Sequence, residues 1–145
     1  MKKEMQLRLS VVRCNKACEN EDEIYCTLEG EYVGAPTRIS ARFPENSVWK
    51  LKTGQSVGPQ TVLFDGEVYD GVSLTVKILE EDGAGLVKML DDPIGEITLR
   101  ADSEICPTWI CNPKTTAYQG QIPSGEHLFH CTGGKGDYQV ALRLF

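Results

Sequence analysis

The chain has 145 residues, of which 41% are hydrophobic and 25% are charged. This composition is ordinary for a globular protein, and the length suits one domain with a substantial core. The formal net charge of −6 argues against nucleic acid as a partner, because binding to phosphates requires a basic surface. We therefore expect one domain over residues 1–145 that binds no nucleic acid.

The beginning of the chain predicts a strand and not a signal peptide. Residues 1–12 start with basic side chains, but Arg8 and Ser10 interrupt the apolar run and no small-residue cleavage site follows. No stretch of the sequence reaches the length of a membrane-spanning helix. We expect a cytoplasmic protein, or a secreted one if its cysteines form disulfides.

Apolar and polar residues alternate with period two along much of the chain, which is typical of strands with one buried face. The alternating segments are residues 7–11, 24–29, 38–43, 62–64, 73–79, 96–100 and 138–145. Turn residues separate them, and no helix of ordinary length is evident. We predict an all-β fold, an antiparallel sandwich of two sheets with about eight strands. Residues 103–131 show little alternation and predict a loop-rich excursion before the last strand.

The six cysteines do not decide the redox compartment. Cys26 is in phase with Ile24 and Leu28 on a predicted strand, which indicates a small buried apolar residue. Cys106 and Cys111 flank a short segment and could close a loop under oxidising conditions. Because no secretory signal is evident, reduced thiols are the favoured interpretation.

Two acidic clusters lie at the two ends of one connection between predicted strands. Glu80, Glu81 and Asp82 follow one strand, and Asp91 and Asp92 precede the next. Carboxylates brought together repel each other unless a cation lies between them, and Ca²⁺ takes about six to eight oxygen ligands from flexible loops. The alternative is that these residues are solvated strand ends.

The first connection of the predicted sandwich is acidic as well, and both connections would lie at the same end. This placement predicts a calcium site whose ligands come from both. The candidate ligands are Glu19, Asp22, Glu23, Glu80, Asp82 and Asp92.

The long connection between the acidic clusters is unusually apolar, with Leu86, Val87, Met89 and Leu90. These four residues are candidate membrane contacts, because burying an apolar side chain contributes about 1.5–3 kcal/mol. The alternative interpretation is a helical turn that folds back and caps the core.

Basic residues suggest a second lipid contact. Arg38 and Arg42 share one side of a predicted strand, and Lys50 and Lys52 share one side of the segment after the next turn. Together they are candidates for binding anionic head groups. An ordinary solvated face with intervening acids is the alternative.

Known catalytic and zinc motifs are not found. The sequence has no Ser nucleophile elbow, no His-Glu metalloprotease motif and no tight Cys-x-x-Cys pair, so we expect neither an enzyme nor structural zinc. Residues 133–136, Gly-Gly-Lys-Gly, lie between predicted strands with no helix after them. We interpret them as a turn and not as a phosphate-binding loop.

Several motifs, in order, make the chain similar to a C2 domain, a β-sandwich used for calcium-dependent membrane docking. Asp92-Pro93-Ile94-Gly95-Glu96 resembles the Asp-x-Ile-Gly-Glu signature of that family, and Glu80-Glu81-Asp82 stands where its members carry Asp-x-Asp. Ser47-Val48-Trp49 is similar to the Asn-Pro-x-Trp turn of the family but lacks the Asn-Pro. Glu23-Ile24-Tyr25-Cys26 takes the place of its Asp-Pro-Tyr-Val.

The resemblance covers about residues 7–99 and implies Ca²⁺ as the cofactor and an anionic phospholipid surface as the partner. It therefore implies a cytoplasmic protein that is peripheral to the membrane. Glu23 and Glu80 depart from it, because a longer carboxylate stands where the family has Asp. The stretch after Arg100 is longer and richer in cysteine than a typical C2 ending. The alternative hypothesis is a calcium-independent module that binds protein, with or without disulfides that brace it.

Overall fold

The structure is a computed structural model that describes residues 3–35, 37–81 and 92–145. Within these ranges a single 3-10 turn, Gly133–Lys135, lies among the strands, and no helix is long and apolar enough to span a membrane. The strands are β1 (Lys3–Lys16), β2 (Asp22–Tyr32), β3 (Arg38–Phe43), β4 (Trp49–Leu51), β5 (Ser56–Val57), β6 (Thr61–Val68), β7 (Gly71–Glu80), β8 (Asp92–Asp102), β9 (Pro107–Cys111), β10 (Thr116–Gln121), β11 (His127–Cys131) and β12 (Asp137–Leu144).

The strands form two six-stranded sheets in which every pairing is antiparallel. Sheet A has the order β10-β11-β12-β1-β5, with β6 also paired to β1. Sheet B has the order β3-β2-β7-β8-β9, with β4 also paired to β2. The predicted all-β, two-sheet antiparallel sandwich is therefore confirmed.

All seven alternating segments of the sequence lie in strands, except that Phe145 follows the last strand, and the described residues contain more strands than the eight expected. The prediction of a loop-rich excursion over residues 103–131 is wrong, because β9, β10 and β11 lie there. Strands β9 and β10 each form an edge of a sheet, and most of their residues are exposed on both faces. Without one buried face, an edge strand has no alternating pattern that a sequence could reveal.

A β-bulge shifts the buried face of β1. Met5, Leu7 and Leu9 point into the core, but the register with β12 shifts after Leu9, and Val12 and Cys14 are the next buried apolar residues. The sequence predicted Val11 as the continuation of this face, and the extra residue of the bulge moves it out of phase.

All six cysteines are free thiols, the state that the sequence analysis favoured. Cys106 directly precedes β9 and Cys111 ends it, so an extended strand of about 16 Å separates them. This separation is far beyond the span of a disulfide, so the alternative in which Cys106 and Cys111 close a loop is wrong. Cys26 is fully buried, as its phase on β2 predicted.

Several connections meet at one end of the sandwich, which we call the acidic end. They are residues 17–21, residues 52–55 and residues 132–136, together with the start of β2 and the end of β7. The Ala17 amide donates a hydrogen bond to Thr53 Oγ1 at 3.0 Å, which joins the first two connections. The acidic end therefore gathers segments that are far apart in the sequence.

Gly95 of the Pro-Ile-Gly motif is required by packing between the sheets. A Cβ at this position would overlap the thiol of Cys131 and would lie 2.9 Å from its Cβ. We expect Gly95→Ala to lower the free energy of unfolding by about 1–3 kcal/mol, since the added methyl group overpacks a buried contact. The measurement is urea unfolding.

Gly58→Ala is the matched control, because a Cβ there meets only Ser10 O at an ordinary 3.6 Å. We expect its unfolding midpoint to stay close to that of the parent. Equal midpoints for Gly95→Ala and the parent would contradict the packing described here.

Candidate cation site at the acidic end

Three potential ligand groups converge at the acidic end. The Cys18 thiol and the carboxylates of Asp22 and Glu80 offer atoms that all lie within 4.8 Å of one another. The strand register explains the pair of acids: Ile24 is directly opposite Glu80, and Asp22 is on the same face of β2 as Ile24. Because Ile24 is a core residue, both carboxylates point inward at the end of the sandwich.

Asp22 is fully buried and its carboxylate oxygens already accept several hydrogen bonds. Oδ2 accepts from the Cys18 amide at 2.8 Å and Oδ1 accepts from the Glu19 amide at 3.0 Å. The hydroxyl of Tyr138 also donates to Oδ2. Since Tyr138 belongs to β12 of sheet A, Asp22 holds the first connection in place and joins the two sheets.

Glu80 is only 4% exposed and its pKa is raised from 4.5 to about 7. Burial is the largest cause, and the negative charges of Asp22 and Glu19 add to it. A hydrogen bond from the Cys18 thiol acts in the opposite direction but is outweighed. The carboxyl group of Glu80 is thus held where a second negative charge is unfavourable.

The two other polar side chains of the cluster remain protonated at neutral pH. Burial raises the pKa of the Cys18 thiol, and hydrogen bonding and charge from Glu80 raise it further. Burial also raises the pKa of the Tyr138 hydroxyl, which donates to Asp22. Both groups therefore act here as hydrogen-bond donors.

The remaining predicted ligands are placed differently. Glu19 is exposed beside the cluster, and Glu23 is on the other face of β2, opposite Lys50 in the register. The backbone of Asp92 pairs with Glu80 across β7 and β8. The predicted ligand Asp82 lies outside the described residues, as do the predicted membrane contacts Leu86, Val87, Met89 and Leu90.

The predicted basic contacts are interspersed with acids. In the register of sheet B, Arg38 is opposite Glu31 and Lys50 is opposite Glu23. A shallow groove of about 520 Å³ on this outer face is lined by two basic residues, Arg38 and Lys77, and by three glutamates. The face is therefore of mixed charge.

The Arg42 side chain and the Lys52 backbone make hydrogen bonds within two turns. The Arg42 guanidinium lies 4.2 Å from the centre of the Tyr25 ring and donates to the carbonyls of Pro44 and Glu45 at 3.2 and 3.3 Å. The Lys52 amide donates to Gln55 Oε1 at 2.9 Å. The Arg42 guanidinium therefore has partners within the protein, whereas the Lys52 contact involves only its backbone. The predicted lipid contacts of both residues stay a prediction.

Sequence reasoning missed the parts that Cys18 and Tyr138 play in the cluster. Tyr138 contacts Asp22, from which it is 116 positions away in the sequence. No local sequence pattern predicts a contact between residues so far apart. The sequence does predict that Asp22 points inward and Glu23 outward, because only Asp22 is in phase with the buried apolar residue Ile24.

Comparison with models of known protein families gives no match, and a search of curated proteins gives none either. The C2 likeness thus rests on the motifs quoted above.

Tyr138→Phe tests the junction between Asp22 and sheet A. We expect it to lower the free energy of unfolding by about 1.5–3 kcal/mol, since a buried carboxylate loses a charge-assisted hydrogen bond. Urea unfolding measures the change. Tyr118→Phe is the control, because Tyr118 is exposed and its hydroxyl bonds His127 Nδ1 at 2.9 Å near the surface. A cost for Tyr138→Phe no larger than for this control would contradict the role given to Tyr138.

The raised pKa of Glu80 predicts a pH dependence of stability. Between pH 4.5 and about 7 the folded chain retains a proton on Glu80 that the unfolded chain has lost, so this group makes stability fall as pH rises. Glu80→Gln removes the titrating group, and we expect the unfolding free energy of the variant to fall less over this range. Urea unfolding at a series of pH values measures both slopes, and identical slopes would contradict the buried position of Glu80.

Proposed function

We propose that this chain is a calcium-binding module that docks on anionic phospholipid surfaces through its acidic end. The observation that carries the proposal is the convergence of two buried carboxylates, Asp22 and Glu80, at one end of a sandwich. Within the described ranges, no Lys or Arg forms an ion pair with either of them. A buried pair of this kind is stabilised by a cation.

The two carboxylates of the cluster are suitable ligands for Ca²⁺, whereas the Cys18 thiol is not. Ca²⁺ prefers hard oxygen ligands, which Asp22 and Glu80 offer, whereas sulfur suits softer metals. The hydrogen bonds to Asp22 leave part of its acceptor capacity free, since a carboxylate has about four lone-pair sites. Two side chains supply only part of a calcium shell, so water and lipid phosphates would supply other oxygens.

Docking follows from the change of charge at the acidic end. With a net charge of −6, the chain and its exposed acids repel an anionic surface. A bound divalent cation cancels the two negative charges of Asp22 and Glu80 and favours contact with phosphate groups. Asp22 and Glu80 bind the ion, and the packing of the sandwich holds them in place.

A second candidate function is a calcium-independent module that binds protein. One specific observation favours it: Asp22 already has protein donors on both of its oxygens, which is how a purely structural carboxylate is satisfied. The free cysteines give no support to a disulfide-braced form.

Thermal unfolding in excess Ca²⁺ and in excess chelator tests the proposal. A ligand that binds only the folded state stabilises it by about 2.7 kcal/mol at a hundred times its Kd, so we expect a clear rise in Tm with Ca²⁺. We expect Glu80→Gln to lose most of this rise, because it removes a ligand charge at little change of shape. Glu29→Gln is the control, since Glu29 is exposed on β2.

Cys18→Ser separates calcium from thiol-binding metals. We expect this variant to retain the calcium-induced rise in Tm, because an oxygen replaces the sulfur. A rise with Zn²⁺ but not with Ca²⁺, abolished by Cys18→Ser, would show that the calcium assignment is wrong. No rise with either ion would favour the second candidate function.

A further inference from the structure

Strand β9 is an edge of sheet B that lacks the usual protection against pairing with another strand. In the described part of the chain it pairs only with β8, over five consecutive positions without a register shift. An edge strand exposes a row of backbone N–H and C=O groups, which proteins commonly protect with charged side chains, short length or a bulge. The sequence of β9, Pro-Thr-Trp-Ile-Cys, contains no charge, and only Pro107 at its first position lacks an N–H.

The other edge strands that the structure describes are protected in these ways. Strand β3 carries Arg38 and Arg42, and β6 carries Asp65 and Glu67. Strands β4 and β5 have only three and two residues. Strand β10 is uncharged, but its register with β11 shifts after Tyr118, so the strand is bulged. Among the described edge strands, β9 alone is straight, uncharged and five residues long.

The side chains on the outer face of β9 suit a neighbouring strand. Ile110 is 41% exposed, although it is large and apolar. Thr108 is exposed on the same face, whereas Trp109 between them packs against the core. Ile and Thr are β-branched, and such side chains pack well against cross-strand neighbours. A further strand beside β9 would therefore cover Ile110 without burying a charge.

The charges that flank β9 indicate which strand would fit beside it. Glu104 is exposed three positions before the strand begins, and Lys114 is exposed three positions after it ends. In an antiparallel pair the beginning of one strand lies beside the end of the other. A second copy of β9 would thus bring Lys114 of each copy toward Glu104 of the other. The edge is complementary to itself in charge as well as in shape.

The contacts of β9 belong to the described range 92–145. Trp109 is opposite Leu99 on β8, and Asp92, where that range begins, is seven residues or about 23 Å along β8 from Leu99. The flanking residues Glu104 and Lys114 lie in the same range.

We propose that β9 pairs antiparallel with β9 of a second copy of this chain, so that sheet B continues across two molecules. A two-fold axis at Trp109 keeps all five residues paired and puts Thr108 opposite Ile110 of the second copy. Such a contact uses the same surface on both copies, as most homodimers do. The acidic end takes no part in it, so this inference does not rest on the proposed function.

Sedimentation equilibrium at concentrations up to about 0.5 mM, in reductant and with chelator or Ca²⁺, tests the pairing. We expect a weak dimer in both conditions, because five paired residues bury less than the roughly 1,200 Å² of a standard interface. In Ile110→Glu the new carboxylates of the two copies would lie diagonally across the strand pair and repel each other. We expect this variant to raise the dissociation constant of the dimer by about tenfold or more.

Val62→Glu is the matched control, because it adds the same charge at another exposed apolar residue. Val62 is 38% exposed and lies on β6 of the other sheet. We expect this variant to dimerise as the parent does. Urea unfolding of both variants shows whether the fold is retained, so that a loss of the dimer is not a loss of structure.

Four outcomes would overturn the inference. The first is a chain that stays monomeric at every concentration. The second is equal weakening by Ile110→Glu and Val62→Glu, since the added charge alone would then explain the effect. The third is a dimer that forms only with Ca²⁺, which would place the contact at the acidic end. The fourth is loss of the dimer in Gln119→Glu but not in Ile110→Glu, which would assign the contact to β10.

Discussion

The burial of Asp22 is the constraint on which the acidic end depends. A carboxylate removed from water costs several kcal/mol unless hydrogen bonds replace its hydration. Here two backbone amides and the Tyr138 hydroxyl replace it, and they come from the first connection and from the opposite sheet. A single charged side chain thereby orders a loop and joins β2 to β12.

The two acids of the cluster have different roles: Asp22 holds the local structure, and Glu80 can change its charge. Asp22 is satisfied by donors of the protein, whereas Glu80 is buried beside it with a pKa raised to about 7. Replacement of Asp22 would therefore disturb the first connection, residues 17–21, and would also remove one candidate cation ligand. Glu80 can change its charge with less damage, which makes it the informative position for cation binding.

Much of the fold was predictable from the sequence because the central strands have one buried face. The alternation on β2 and β7 follows from burial on one side, and it led to the correct two-sheet architecture. The edge strands β9 and β10 lacked that signal, and the bulge after Leu9 broke the phase of β1. Alternation therefore fails to predict a strand, or its buried face, where exposure or an extra residue removes the period of two.

The candidate site was predictable only in part, since it combines local phase with distant contacts. Asp22 and Glu80 were identified as acids at strand ends, and their common face follows from alternation and pairing. The approach of Tyr138 and of the turn at residues 132–136 depends on how the two sheets pack, which no local spacing encodes. The sequence showed the glycines of that turn but not the surface against which they pack.

A chain of close contacts makes the acidic end a preorganised surface. Asp22 positions the Cys18 backbone, the Cys18 sulfur lies against Gly136, and Gly133 lies against β8. Each contact leaves little room for movement, so the first connection and the turn at residues 132–136 are held relative to each other. A surface ordered before it meets its ligand loses less conformational entropy on binding. Rigid packing around buried carboxylates therefore serves the fold and, in the proposed function, lowers the free-energy cost of docking.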